Sequence, residues 1–177
     1  MNLLFYSNII FTSKLFSHAY NKTEVAMNND EMLKQIKNII YDGEEIELTE
    51  KIIGAAIEVH RELGCGLKEE IYEVALEWEL NQLGQKVLRQ VPCLVIYKGM
   101  VFSENDDHPK RIDMLVEDKI ILELKAVGRN DPIFCAQCLT YLRMKKLHVG
   151  LVLNFGLPTL KDGIKHVVNN PDPNNKI

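Results

Sequence analysis

Two short runs, Arg111-Ile-Asp-Met-Leu-Val116 and Ile120-Ile-Leu-Glu-Leu-Lys125, alternate with the same odd-even parity, and this leaves few ways of pairing them. In the first, Ile112, Met114 and Val116 alternate with Arg111, Asp113 and Leu115. In the second, Ile120, Leu122, Leu124 and Ala126 alternate with Glu123 and Lys125. Side chains along a strand point alternately to its two faces. An antiparallel pair therefore aligns the two even-numbered faces only when opposed residue numbers sum to an even value. A three-residue turn at Glu117-Asp118-Lys119 gives such a sum. The spacing predicts a hairpin with Asp113 directly opposite Glu123, Lys125 on the same face, and Ile112, Met114, Leu122 and Leu124 toward the core. Opposed Cβ atoms would lie roughly 4.5–5.5 Å apart.

Two carboxylates so placed repel one another unless something positive lies between them. A divalent cation resolves the conflict. Mg²⁺ (or Mn²⁺) takes oxygen ligands, usually one or two carboxylates completed by waters and substrate phosphate oxygens. Asp113 and Glu123 are candidate ligands, and the main-chain carbonyl of Leu124, whose side chain points to the core, is a further donor. Lys125 could orient an attacking water or stabilise charge on a phosphate. The bland alternative is a solvated strand face, because Glu-Leu-Lys is a common alternation on half-exposed strands.

The hairpin resembles the Asp…Glu-x-Lys signature of the PD-(D/E)XK nuclease superfamily. One branch fits more closely: Gly66-Leu-Lys-Glu69-Glu-Ile-Tyr72 matches the pattern that names the GxxExxY protein family. The likeness continues through Glu73, Arg89-Gln-Val-Pro92, Tyr97-Lys-Gly99, Arg111 to Val116, Glu123 to Val127, and Gly150 to Gly156, about residues 47 to 157 in all. The resemblance implies an α/β, restriction-endonuclease-like core with a central mixed sheet flanked by helices, and a metal-dependent nuclease. It also implies that Glu69 reaches the metal directly or through water. Gln137 and Tyr141 match a Gln-x-x-x-Tyr pattern in the recombination-exonuclease branch, and with Tyr72 they are read as support for the site or the substrate backbone. The nominal Pro before the first Asp is Ile112 here, while the carboxylate is retained.

Apolar residues make up 46% and charged residues 26% of the 177, which is the composition of a soluble globular protein with one adequate core. The net charge of -4 is not the footprint of a constitutive nucleic-acid binder. Clustered carboxylates repaid by a cation are compatible with it, local Lys and Arg groups meeting the phosphates. Cys135-Ala-Gln-Cys138 has a C-x-x-C spacing, but it falls within an expected helix and no second pair accompanies it, so free thiols in a reducing cytoplasm are expected. No stretch is continuous enough in apolar residues for a membrane-spanning helix.

Residues 1–27 read as an N-terminal extension with Met27 as the expected initiator; 28–168 as the nuclease-like domain; 169–177, rich in Asn and Pro, as a flexible tail. A signal or transit peptide is the alternative for the extension, although Ser7, Asn8, Thr12 and Ser13 interrupt its apolar run. Helices are expected over about 30–40, from near Leu48 to Leu63, over 68–83, and from Pro132 to about Lys146 with Asp131 as N-cap. On the helix over 68–83, Glu69, Tyr72, Glu73 and Leu76 share one stripe, while Ile71, Val74, Ala75 and Trp78 are expected to pack on the sheet. Strands are expected over Val87–Tyr97, broken at Pro92, near Met100–Phe102, and over Val149–Phe155. His60 reads as an ordinary partly buried or surface histidine, and the acidic loop 103–109 as a solvated turn.

These readings converge on a Mg²⁺- or Mn²⁺-dependent phosphodiesterase acting on nucleic acid, DNA being the expected substrate. The alternative is a catalytically silent nucleic-acid- or protein-binding module on the same fold. A hydrolase of another phosphodiester is a third reading. No Gly-rich phosphate loop points to an NTP-driven enzyme.

Overall fold

The computed structural model describes residues 43–102 and 110–169. The expected helix over 30–40, the extension and the acidic loop lie outside them, as does nearly all of the tail. Helix α1 (Gly43–Leu63) buries Leu48, Thr49, Ile52, Ala55, Ala56 and Val59, an i, i+3, i+4 recurrence that gives it one core stripe. It starts earlier than its apolar pattern, because Glu44 and Glu45 suit the positive N-terminal end of a helix. Both also reach outward: Glu44 pairs with Lys119 and Glu45 approaches His148 at 3.3 Å. The helix ends at Gly64, whose φ of 67° is a left-handed C-terminal stop.

Helix α2 (Glu69–Gln82) turns Tyr72, Glu73, Leu76 and Leu80 inward. Ile71, Val74 and Trp78, expected against the sheet, are instead exposed, at 48%, 51% and 59%. The polar members of the inward stripe can be buried because each has partners. Tyr72 stacks on Phe155 with ring centroids 4.7 Å apart, donates its hydroxyl to the Gly64 carbonyl at 2.8 Å, and accepts the Leu67 N–H at 3.1 Å. Glu73 meets Arg89 and Gln90, as described below.

The main sheet comprises β1 (Val87–Pro92), β4 (Arg111–Val116), β5 (Ile120–Lys125), β6 (Val149–Asn154) and β7 (Ile164–Val168), in the order β1-β4-β5-β6-β7. All neighbours are antiparallel except β5 and β6, which run parallel. Helix α3 (Pro132–Lys145) makes that crossover. It begins as the sequence predicts, with Asp131 Oδ1 accepting the Ile133 N–H at 3.0 Å and Pro132 in the first turn. Strands β2 (Val95–Tyr97) and β3 (Met100–Phe102) form a separate hairpin, joined by Lys98 and Gly99 at φ 48° and 83°. A short helix α4 (Leu160–Gly163) leads into β7. The fold is thus the expected α/β arrangement with a mixed sheet.

Each face of the sheet has its own core. Helices α1 and α2 cover Met114, Val116, Ile120, Leu122, Leu124, Leu151 and Leu153. Helix α3 covers Ile112, Leu115, Ile121 and Val152 through Cys138, Tyr141 and Leu142. Close approach is built in at Gly150, where an added Cβ would lie 2.6 Å from Cys138 Sγ. The β4–β5 register pairs Met114 with Leu122 and Val116 with Ile120, as parity requires. One expectation fails: Ile112 joins the core under α3, opposite Met114. Its β1 neighbours change sides with it, Val87 packing on the first core and Val91 on the second, across a left-handed Gln90 at φ 51°.

Candidate active site

The last β4–β5 pair is Met114↔Leu122, and beyond it Asp113 makes side-chain rather than ladder contacts. Its Oδ2 accepts the Leu124 N–H at 2.7 Å. The expected Asp113–Glu123 pair would continue that register, but the ladder ends before it, and Asp113 is held instead by the backbone of the partner strand. Burial raises its pKa; the Leu124 N–H and the Lys125 charge oppose the rise, and the Glu73 charge adds to it.

Glu123 is fully buried. Lys125 Nζ donates to its Oε1 at 2.5 Å, whereas Oε2 has no hydrogen-bond partner. Burial, joined by the Asp113 charge, lifts the Glu123 carboxyl to about 7 despite Lys125. The Lys125 ammonium also donates to the Leu124 carbonyl at 2.8 Å and lies 5.5 Å from the centroid of the Phe134 ring. Burial works against its charge, but Glu123, Glu69 and Asp113 outweigh it and raise the pKa. Glu69, the first residue of α2, is half-buried; burial raises its pKa, Lys125 lowers it and Asp113 raises it again.

Asp113, Glu123, Lys125 and Glu69 thus share one electrostatic field. Among the described residues, however, no three His, Cys, Asp or Glu side chains gather as a set able to hold a metal ion. The three-carboxylate ligand set that the resemblance implies is not assembled; Lys125, bonded to Glu123, balances part of the repulsion instead. On α3, Gln137 Nε2 donates to the Tyr141 hydroxyl at 3.3 Å, and burial and the charges of Glu123 and Asp113 raise the Tyr141 pKa. Tyr72 lies elsewhere, its hydroxyl committed to the turn before α2.

Two arrangements escaped the sequence reading. Buried Glu73 accepts Arg89 Nε at 2.8 Å and Gln90 Nε2 at 3.1 and 3.0 Å, and its charge reaches Asp113. Fully buried Asn154 accepts the N–H groups of Val127 and Gly156 at 3.1 Å and donates to the Arg129 carbonyl at 3.0 Å. It thereby shapes the loop that leaves β5 just after Lys125. Both residues stood inside the quoted motifs, but only the tertiary fold gives them partners.

Two comparisons with known proteins bear on this site. A family model described as the PD-(D/E)XK nuclease superfamily matches residues 46–167, from α1 through β7. No curated protein matches the chain. Among the described residues, no helix is long and apolar enough to cross a membrane.

Proposed function

The chain belongs to the PD-(D/E)XK nuclease superfamily, and on that premise we propose that it is a Mg²⁺- or Mn²⁺-dependent nuclease that hydrolyses DNA phosphodiester bonds. The observation that carries this reading is the orphaned Glu123 Oε2, a buried carboxylate oxygen with no hydrogen-bond partner, coupled in charge to Asp113. Buried polar atoms are seldom left unpaired, and a cation would satisfy this one. Two carboxylates and the Leu124 carbonyl suit a hard cation that keeps waters and takes phosphate oxygens as its other ligands. The residues present fit the group. When bound, it would supply positive charge against the phosphate and make hydrolytic attack by water easier.

The chain's own residues supply the rest. Asp113, held by the Leu124 N–H, presents a fixed carboxylate. Lys125 carries an ammonium that can donate to a phosphate oxygen or hold the attacking water, stabilising charge as it develops. Glu69, whose charge reaches Lys125 and Asp113, would add negative potential and hold water. Gln137 and Tyr141 sit on α3 as support for the site or for the nucleic-acid backbone. The narrower likeness to the GxxExxY family, the 28–168 domain limits and a cytoplasmic location belong to the same proposal. Gly66, Glu69 and Tyr72 support the first and the four free cysteines the last.

Purified wild type, Glu123→Ala and Lys125→Ala, assayed on single-stranded, duplex and branched DNA with Mg²⁺, Mn²⁺ or EDTA, test it. Both variants should lose at least about a hundredfold in cleavage. Calorimetry should show that Glu123→Ala weakens Mn²⁺ binding while Lys125→Ala largely keeps it. A wild type that takes up no divalent cation and cuts none of these, yet still binds nucleic acid after Glu123→Ala, would overturn the nuclease reading in favour of a binding module.

A further inference from the structure

We propose that Gln90 is a positioning residue, whose left-handed backbone breaks the β1–β4 ladder opposite Asp113 and so releases Asp113 toward Leu124 and Glu123. The β1–β4 register runs through Arg89↔Met114 and Val91↔Ile112 with no residue inserted on either strand. By that register Gln90 faces Asp113, but this one position is skipped. The cause is conformational, since Gln90 has φ 51°, a region that a side chain with a Cβ rarely enters. Such outliers persist only where the surroundings hold them, and they concentrate at functional sites.

Gln90 is held from two directions. Its Nε2 donates to both carboxylate oxygens of Glu73, at 3.1 and 3.0 Å. Glu73 is in turn fixed by Arg89 Nε at 2.8 Å, and Arg89 Nη1 is itself anchored on Glu77 at 3.1 Å. On the other side, the Gln90 carbonyl accepts from Arg111 Nη1 at 3.4 Å, tying the reversal to the neighbour of Ile112. The consequence is visible in both strands: Val87 and Met114 pack under α1 and α2, Val91 and Ile112 under α3. In an uninterrupted ladder Met114 and Ile112 would share a face. Asp113 lies at the crossover, and there its carboxylate meets the Leu124 N–H.

The inference rests on the nuclease reading only for what Asp113 does, so its test needs a readout that activity does not supply. The Leu124 amide resonance, in metal-free protein, reports the Asp113 hydrogen bond directly. Within an ordinary strand Gly is worse than Ala; at a left-handed position the order reverses. Gln90→Ala should therefore move the Leu124 resonance markedly and lower Mn²⁺ affinity roughly tenfold, a size usual for residues supporting a ligand. Gln90→Gly should move both less. Should Gln90→Ala not fold, Gln90→Gly keeping the native Leu124 resonance still supports the proposal, and a Gly variant that also loses it overturns it. A Leu124 resonance unmoved in Gln90→Ala, or a Gly variant worse than Ala, would also overturn it. A wild type that binds no Mn²⁺ strikes at the nuclease reading alone, because the Leu124 comparison still decides the role of Gln90.

Discussion

A carboxylate buried with one oxygen bonded and the other orphaned is unfavourable to ionise, and Glu123 is in that position. Its folded pKa of about 7 lies above its ordinary value of 4.5, so between these values the folded state binds more protons than the unfolded one. Metal-free stability should therefore fall as pH rises from about 4.5 to 7 and level off above, by about 1–3 kcal/mol. Asp113 and Glu69, also raised, act in the same sense. Half-buried His166, pushed down to about 4 by desolvation, acts in the opposite sense between about 4 and its ordinary 6.5. The informative quantity is thus the difference between wild type and Glu123→Gln. In EDTA, the melting temperature of the wild type should drop relative to the variant by about 5 °C across that window, and Mn²⁺ should restore the wild type alone. Equal pH profiles would show that Glu123 is not the group that titrates. Period-two alternation singles out Asp113, Glu123 and Lys125 as a group in the sequence, although the alternation itself breaks at Asp113, where Ile112 and Met114 lie on opposite faces. Gln90, Glu73 and Asn154 were not, because their roles depend on partners distant along the chain.

At the scale of elements, α2 shows where sequence patterning misleads. Hydrophobicity alone selects Ile71, Val74, Ala75 and Trp78 as the packing face, yet of these Ala75 alone packs on the core, and the helix buries the face carrying Tyr72, Glu73, Leu76 and Leu80. A stripe containing a carboxylate is buried here because Arg89 and Gln90 neutralise and saturate that carboxylate. Counts of apolar residues cannot register such a partner on another strand. By contrast the α3 cap, the 117–119 turn and the β4–β5 register were legible because each depends on neighbours close in sequence. Strand β7 was missed because its short run mixes Lys165 and His166 with its apolar residues. The orientation of α2 has a direct check by thermal melting. Val74→Ser and Trp78→Ser should each change stability by no more than about 0.5 kcal/mol, whereas Leu76→Ala should cost about 2–5 kcal/mol. A large loss from Trp78→Ser with a tolerated Leu76→Ala would mean that the helix packs by its other face.

For the whole molecule, the governing quantity is charge. A chain of net charge -4 approaches a polyanion with its own carboxylates gathered at the proposed site, so part of its binding energy is lost to repulsion wherever no cation lies between. Lys125 offsets only part of this, being already engaged with Glu123 and the Leu124 carbonyl. Metal and DNA should therefore bind cooperatively, each lowering the cost of the other, and by linkage the coupling should be the same in both directions. Removing a carboxylate should imitate the cation for binding while abolishing it for cleavage. Asp113→Asn, titrated by fluorescence anisotropy with a short labelled duplex in EDTA, should bind several-fold more tightly than wild type, at an expected gain of about 1 kcal/mol. Added Ca²⁺, chosen to reduce cleavage during the measurement, should tighten the wild type and leave Asp113→Asn nearly unchanged. Raising salt should shrink the difference, as screening requires. If Asp113→Asn binds DNA in EDTA no better than wild type at low salt, DNA does not approach these carboxylates, and the surface that meets nucleic acid must be sought elsewhere on the fold.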